Sequence, residues 1–171
     1  MRRPPEFIPL GRTERPPRSI WLAPLSVALG SLVTIVPMVA TIPILPPFGL
    51  MILLGWRLHR ADSLRVWAPA PLGLFDDIVT GQPIGAAMLF WTLCFLMIDV
   101  IDTRIVWRNF LQNWLIATGA IAGCLLLTRF VASPFGAHVD TALVLQILVS
   151  VALFPLIARF CAWLDRDVRE T

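Results

Sequence analysis

Ser19–Trp56 reads SIWLAPLSVALGSLVTIVPMVATIPILPPFGLMILLGW, 38 residues with no Asp, Glu, Lys or Arg. As a single helix the run would extend about 57 Å at about 1.5 Å per residue. The hydrocarbon core of a bilayer is about 30 Å thick. The run must therefore double back. Pro43, Pro46 and Pro47 mark the break, because proline lacks an amide proton and disfavours helix in the residue before it. One helix is predicted at about Ile20–Ile42, kinked at Pro37, and a second at about Phe48–His59.

Working outward, the next apolar segment, Val66–Thr80, is short and holds Pro69 and Pro71. Gly81-Gln82-Pro83 follows as a turn signal. Three longer helices are predicted at about Ile84–Asp102, Trp107–Val131 and Thr141–Leu164. The fold class is an all-α membrane protein, a compact bundle of six transmembrane helices whose second and third members are short or broken. Those two are either tilted spans or a partly buried broken hairpin, which is tolerated where protein covers the backbone. Residues 20–164 form the membrane domain. Residues 1–19 form a basic flexible tail, and residues 165–171 a second short tail.

Composition agrees. Of the 171 residues, 57% are hydrophobic and 15% charged, against about 45–50% and about 25% in a soluble domain. This excludes a disordered chain, a disulfide scaffold and a conventional soluble enzyme. The formal charge is +3, and all 14 basic residues are arginine. They lie between apolar runs rather than on one folded basic face, so no nucleic-acid partner is expected. Arg2, Arg3, Arg12, Arg15 and Arg18 precede the first helix. Arg57, Arg60 and Arg65 fall near the second-to-third connection, Arg104 and Arg108 in the fourth-to-fifth, and Arg159, Arg166 and Arg169 at the last inner end. With both termini cytosolic, only Arg129 falls near the outer side, as the positive-inside rule requires. Trp21, Trp56, Trp67, Trp107, Trp114 and Trp163 fall near the inner helix ends, where indoles meet headgroups. The basic tail is expected to be drawn to anionic lipid. A cleaved signal peptide is disfavoured, because the first apolar run far exceeds a signal's apolar core of roughly 7–15 residues.

Few residues suggest chemistry. Cys94, Cys124 and Cys161 lie inside predicted helices without ligand spacing, and read as apolar filler. His59 and His138 have no partner at ligand spacing, so no metal site or cofactor is expected. No catalytic or nucleotide motif is present. Asp76 and Asp77 interrupt an apolar segment, where a carboxylate costs about 2.5–3.5 kcal/mol at a helix centre. They are either a contact for substrate, proton or partner, with Asp77 the stronger candidate, or interface residues bonded to the turn backbone. Asp99 and Asp102 share a helical face and predict a charge network with Arg104 and Arg108. Arg129 is expected to meet Asp140 or outer headgroups. Gly119 and Gly123 form a GxxxG on the fifth helix. It serves helix packing within the bundle or, alternatively, contact with another protein.

Leu45-Pro46-Pro47-Phe48-Gly49-Leu50-Met51-Ile52-Leu53-Leu54-Gly55-Trp56 resembles the proline, apolar, tryptophan segment of the MreD family of rod shape-determining membrane proteins. Gly73-Leu74-Phe75-Asp76-Asp77-Ile78-Val79-Thr80-Gly81-Gln82-Pro83-Ile84-Gly85 is similar to that family's glycine- and aspartate-bearing signature. Asp77 falls at its acidic position, Gly81 and Gly85 at its glycines, and Pro155 at a family proline in the sixth helix. The resemblance implies a non-enzymatic, multi-pass component of the bacterial inner membrane that maintains cell shape with the wall-elongation machinery. The partners it implies are an MreC-like protein, a RodA-like glycosyltransferase, a penicillin-binding transpeptidase and the MreB cytoskeleton. The family fold is also similar to small-molecule-binding transporter subunits. That makes a transporter subunit the alternative reading, with Asp76 and Asp77 near its ligand.

Overall fold

The computed structural model describes residues 17–34, 45–60, 64–104, 109–132 and 141–170. Six helices occur in it: α1 (Pro17–Val33), α2 (Phe48–His59), α3 (Pro69–Thr80), α4 (Ala86–Arg104), α5 (Phe110–Ala132) and α6 (Thr141–Glu170). Among the described residues three stretches are long and apolar enough to cross a membrane: Ala86–Arg104, Phe110–Val131 and Thr141–Arg166. α2 and α3 have 12 residues each, about 18 Å of helix, and are too short to span alone. The predicted kink at Pro37, the break at Pro43 and residues 1–16 of the expected tail 1–19 lie outside the described residues; residues 17–19 of that tail are the start of α1.

The element boundaries depart from the sequence expectation in instructive ways. α3 starts at Pro69, not Val66, because the fixed φ of proline suits the first helical position, where its missing N–H is no loss. α6 runs to Glu170, past the expected end at Leu164. Residues 165–170 are therefore helix rather than tail. No glycine or proline follows Pro155 in this stretch to stop it, and Asp165 is buried against Arg60, whose Nη1 lies 2.7 Å from its Oδ1.

The shortest apolar helix is the centre of the bundle. Nine of the 12 residues of α2 are buried, and it packs against α1, α4, α5 and α6. A helix surrounded by protein need not reach either headgroup layer. α1 crosses it closely at two glycines: a Cβ on Gly30 would stand 3.3 Å from the Gly49 nitrogen and 2.7 Å from Ile52 Cδ1. Trp56 is buried, not at the headgroups as expected. Its indole N–H donates to Ser26 Oγ at 2.8 Å, and Ser26 in turn donates to the Ala23 carbonyl. Trp21, Trp67 and Trp163 are exposed, as an interfacial position requires; Trp107 lies outside the described residues.

Polarity runs inward. The buried polar set includes Ser31, Arg57, Asp77, Ser150 and Asp165, whereas Leu89, Leu115, Leu126, Leu148 and Leu156 are exposed. Charges that turn to the bundle interior while leucines face out are what a hydrocarbon solvent selects. Arg57 is 2% exposed, and its Nη2 lies 2.8 Å from Asp99 Oδ1 and 2.9 Å from Asp102 Oδ2. Its guanidinium stacks 5.1 Å from the Phe95 ring centroid. The predicted charge network thus exists, but its cation is Arg57 of α2 rather than Arg104. Arg104 is exposed, and Arg108 lies outside the described residues. These pairs bring the ends of α2, α4 and α6 together at one arginine-bearing end of the bundle.

Candidate functional site

At the opposite end, α3 turns into α4 through a junction built around Asp77. Four helical positions earlier on the same face is Gly73. A Cβ on Gly73 would stand 2.7 Å from both the nitrogen and the Cα of Met88, and 2.8 Å from the Ala87 carbonyl carbon. No side chain fits there, so the backbones of α3 and α4 touch. That closeness brings the Asp77 carboxylate onto the start of α4. Oδ1 accepts the Ala87 N–H at 2.8 Å, Oδ2 accepts the Gly85 N–H at 2.9 Å, and the Met88 N–H lies 3.4 Å from Oδ2. Gly85 immediately precedes α4, and Ala87 and Met88 are in its first turn, where donors have no acceptor within the helix. A carboxylate there gains charge-assisted bonds and a favourable interaction with the helix dipole.

The backbone of Asp77 closes the other helix. Its carbonyl accepts the N–H of Gly81 and, at 3.2 Å, that of Gln82. Gly81 has φ +69° and Gly85 φ +98°, conformations that a side chain would strain. Among the described residues a Cβ on either would meet nothing within 4 Å, so glycine is required here by backbone geometry. One residue therefore ends α3 with its main chain and starts α4 with its side chain. Both Asp77 oxygens are occupied and the residue is 1% exposed. The sequence left Asp77 as either a ligand or partner contact or a residue bonded to the turn backbone, and its geometry is that of a buried cap.

Asp76 faces elsewhere. It is half-buried and lies beside the Ser31 hydroxyl, next to Gly49. Trp91 Cη2 stands 2.9 Å from where a Gly49 Cβ would be. Asp76 thus sits where α1, α2, α3 and α4 converge.

The remaining candidates divide. Among the described residues a Cβ on Gly119 or Gly123 would meet nothing within 4 Å. The buried stripe of α5 is Ala117, Ile121 and Cys124, and at about 100° per residue the two glycines fall on the far side. Pro155 is inside α6 and leaves the Val151 carbonyl without its i+4 donor. The Trp114 indole N–H supplies that donor at 3.1 Å, fastening α5 to α6. Cys94 and Cys124 bring their sulfurs to 3.1 Å across α4 and α5, a meeting that no spacing in the sequence signalled. Asp140, the expected partner of Arg129, lies outside the described residues. Gly73 was missed as a site residue, although its place one turn before Asp77 was the available signal.

A bundle of long apolar helices with inward-turned charges and capped helix junctions is a helical membrane protein. The model of the family described as rod shape-determining protein MreD matches residues 18–164. The chain belongs to the MreD family, and the match reaches from α1 into α6. None of the curated proteins or solved structures compared with it gives a match.

Proposed function

We propose that the protein is a non-enzymatic inner-membrane component of the cell-wall elongation complex, acting as a scaffold or regulator in maintaining rod shape. It crosses the membrane six times with both termini cytosolic. Its partners are an MreC-like protein, a RodA-like glycosyltransferase, a penicillin-binding transpeptidase and the MreB cytoskeleton. Family membership supports the shape-determining role. The observation that carries the scaffold reading is the GxxxG of α5: among the described residues, a Cβ on Gly119 or Gly123 would meet nothing within 4 Å. Paired small residues let a second helix approach closely in a membrane. Asp77 lends no support to the transporter-subunit reading, because both its oxygens are already bonded.

A photo-crosslinking residue placed in living cells at Leu115 or Leu126, exposed one turn from Gly119 and Gly123 on the same face, tests the proposal. Capture of an MreC-like or RodA-like protein from these positions, with weaker capture from Leu148 on α6, is the expected result. Lipid adducts alone from α5 would sink it. Depletion in a rod-shaped host should round the cells, and normal rods after complete loss would reject the shape role.

A further inference from the structure

Where α4 meets α5, each helix contributes one cysteine to the crossing. Cys94 of α4 and Cys124 of α5 bring their sulfurs to 3.1 Å. The contact is reciprocal. Cys94 Sγ lies 3.8 Å from the carbonyl oxygen of Ala120, one turn before Cys124, and Cys124 Sγ lies 3.7 Å from that of Phe90, one turn before Cys94. Each sulfur thus rests on the backbone of the opposite helix, and the two thiols are held against one another. A disulfide places its sulfurs about 2.0 Å apart, so the pair needs to close by about 1 Å.

The two cysteines differ in access. Cys124 is buried, whereas Cys94 is half-buried, and its α4 neighbours Leu93 and Met97 are exposed. Cys94 stands near the middle of the apolar span Ala86–Arg104, about 12 Å from its start at about 1.5 Å per residue. A reagent that meets it must come through hydrocarbon. Cys161 is buried elsewhere, its sulfur 3.9 Å from the Ile52 carbonyl oxygen, and the chain has no fourth cysteine to pair with it.

We propose that Cys94 and Cys124 are a redox modification site, converted to a disulfide by a membrane-partitioned hydroperoxide. Cys94 attacks one peroxide oxygen: an S–O bond forms, the O–O bond breaks, and the thiol proton leaves with the other oxygen as an alcohol. Cys124 attacks the resulting sulfenic sulfur: the S–S bond forms, the S–O bond breaks, and the hydroxyl leaves with the Cys124 proton as water. Two thiols give two electrons to the peroxide, and no net charge remains in the hydrocarbon. An accessible thiol beside a resolving one is the arrangement of a redox-sensing cysteine. The bond ties α4 to α5 at mid-span. The site is independent of the scaffold reading and of the α5 glycines.

The full chain in vesicles of saturated phosphatidylcholine, treated with cumene hydroperoxide, then unfolded, alkylated, digested and read by mass spectrometry, tests it. Cys94 and Cys124 should lose alkylation together and appear as one linked peptide pair that a phosphine separates, while Cys161 stays alkylated. The oxidised protein should unfold in detergent at a raised midpoint. Cys124→Ser should leave Cys94 as a sulfenic acid that dimedone traps, and Cys94→Ser should leave Cys124 alkylated. The unaltered chain carries Cys161 as its own control, so the test does not depend on either variant folding. Alkylation of all three cysteines after treatment, with oxygen gained only at the exposed Met88 and Met97, would overturn the proposal. Equal loss at Cys161, or linkage only between separate chains, would do the same. Faster reaction with hydrogen peroxide in the water phase would refute the route through hydrocarbon.

Discussion

Asp77 shows how a carboxylate becomes tolerable in an apolar segment. Its insertion cost, about 2.5–3.5 kcal/mol at a helix centre, is offset by backbone donors that would otherwise be orphans, each charged hydrogen bond contributing about 1.5–3 kcal/mol. Asp77→Asn removes the charge and turns an NH₂ toward an amide N–H. It should destabilise the protein by about 2 kcal/mol, read as a lowered unfolding midpoint in detergent. Asp76→Asn should cost clearly less, because Asp76 caps no helix; the reverse order would refute the assignment. Gly73→Val, whose Cβ has no room against Met88, should cost about 1–3 kcal/mol by overpacking, measurable in the same unfolding assay. An unperturbed midpoint would show that the two backbones do not touch. The sequence singled out Asp77, and held bonding to the turn backbone as one of two readings. It did not reveal that the acceptors serve Gly85 and Ala87, because a contact eight and ten residues ahead depends on how α3 meets α4.

Among the elements, α2 and α6 carry the polar connections. Asp99→Asn with Asp102→Asn leaves Arg57, which is 2% exposed, buried without these carboxylates and should cost about 3–5 kcal/mol. Adding Arg57→Met should recover much of that loss, because the buried cation disappears. A triple variant no more stable than the double one would refute the pairing. The α5–α6 tie makes a sharper prediction. Trp114→Phe orphans the Val151 carbonyl and should cost about 1–3 kcal/mol. Pro155→Ala restores an N–H within α6 to satisfy that carbonyl, so it should rescue Trp114→Phe. A double-mutant cycle of detergent unfolding free energies measures the coupling, and strictly additive effects would show that proline and indole do not share the carbonyl. The position of Pro155 was legible in the sequence, as was the helix containing it. Its partner was not, because Trp114 reads equally well as an interfacial anchor.

For the whole molecule, the arginine distribution predicts an orientation that single-cysteine labelling can test in a cysteine-free background. A cysteine at Gln82 should react with an impermeant reagent added outside, and one at Arg166 only after the membrane is opened. Reaction of Arg166→Cys from outside would invert the topology. On the α5 face, Gly119→Leu with Gly123→Leu should change stability by no more than about 0.5 kcal/mol while abolishing partner capture, since among the described residues a Cβ on either would meet nothing within 4 Å. The membrane class, the helix count and the approximate bounds of α2 through α5 were readable from the chain, because unbroken apolar length and proline placement are local properties that a bilayer converts directly into helices. Which short helix would lie at the centre, which aspartate would cap and which would face Ser31, and that Gly119 and Gly123 would point away from the bundle were not readable. A uniformly apolar helix has no polar face to declare its inside, so the choice of buried face falls to the fit of neighbouring backbones, at Gly30 against Gly49 and at Gly73 against Met88.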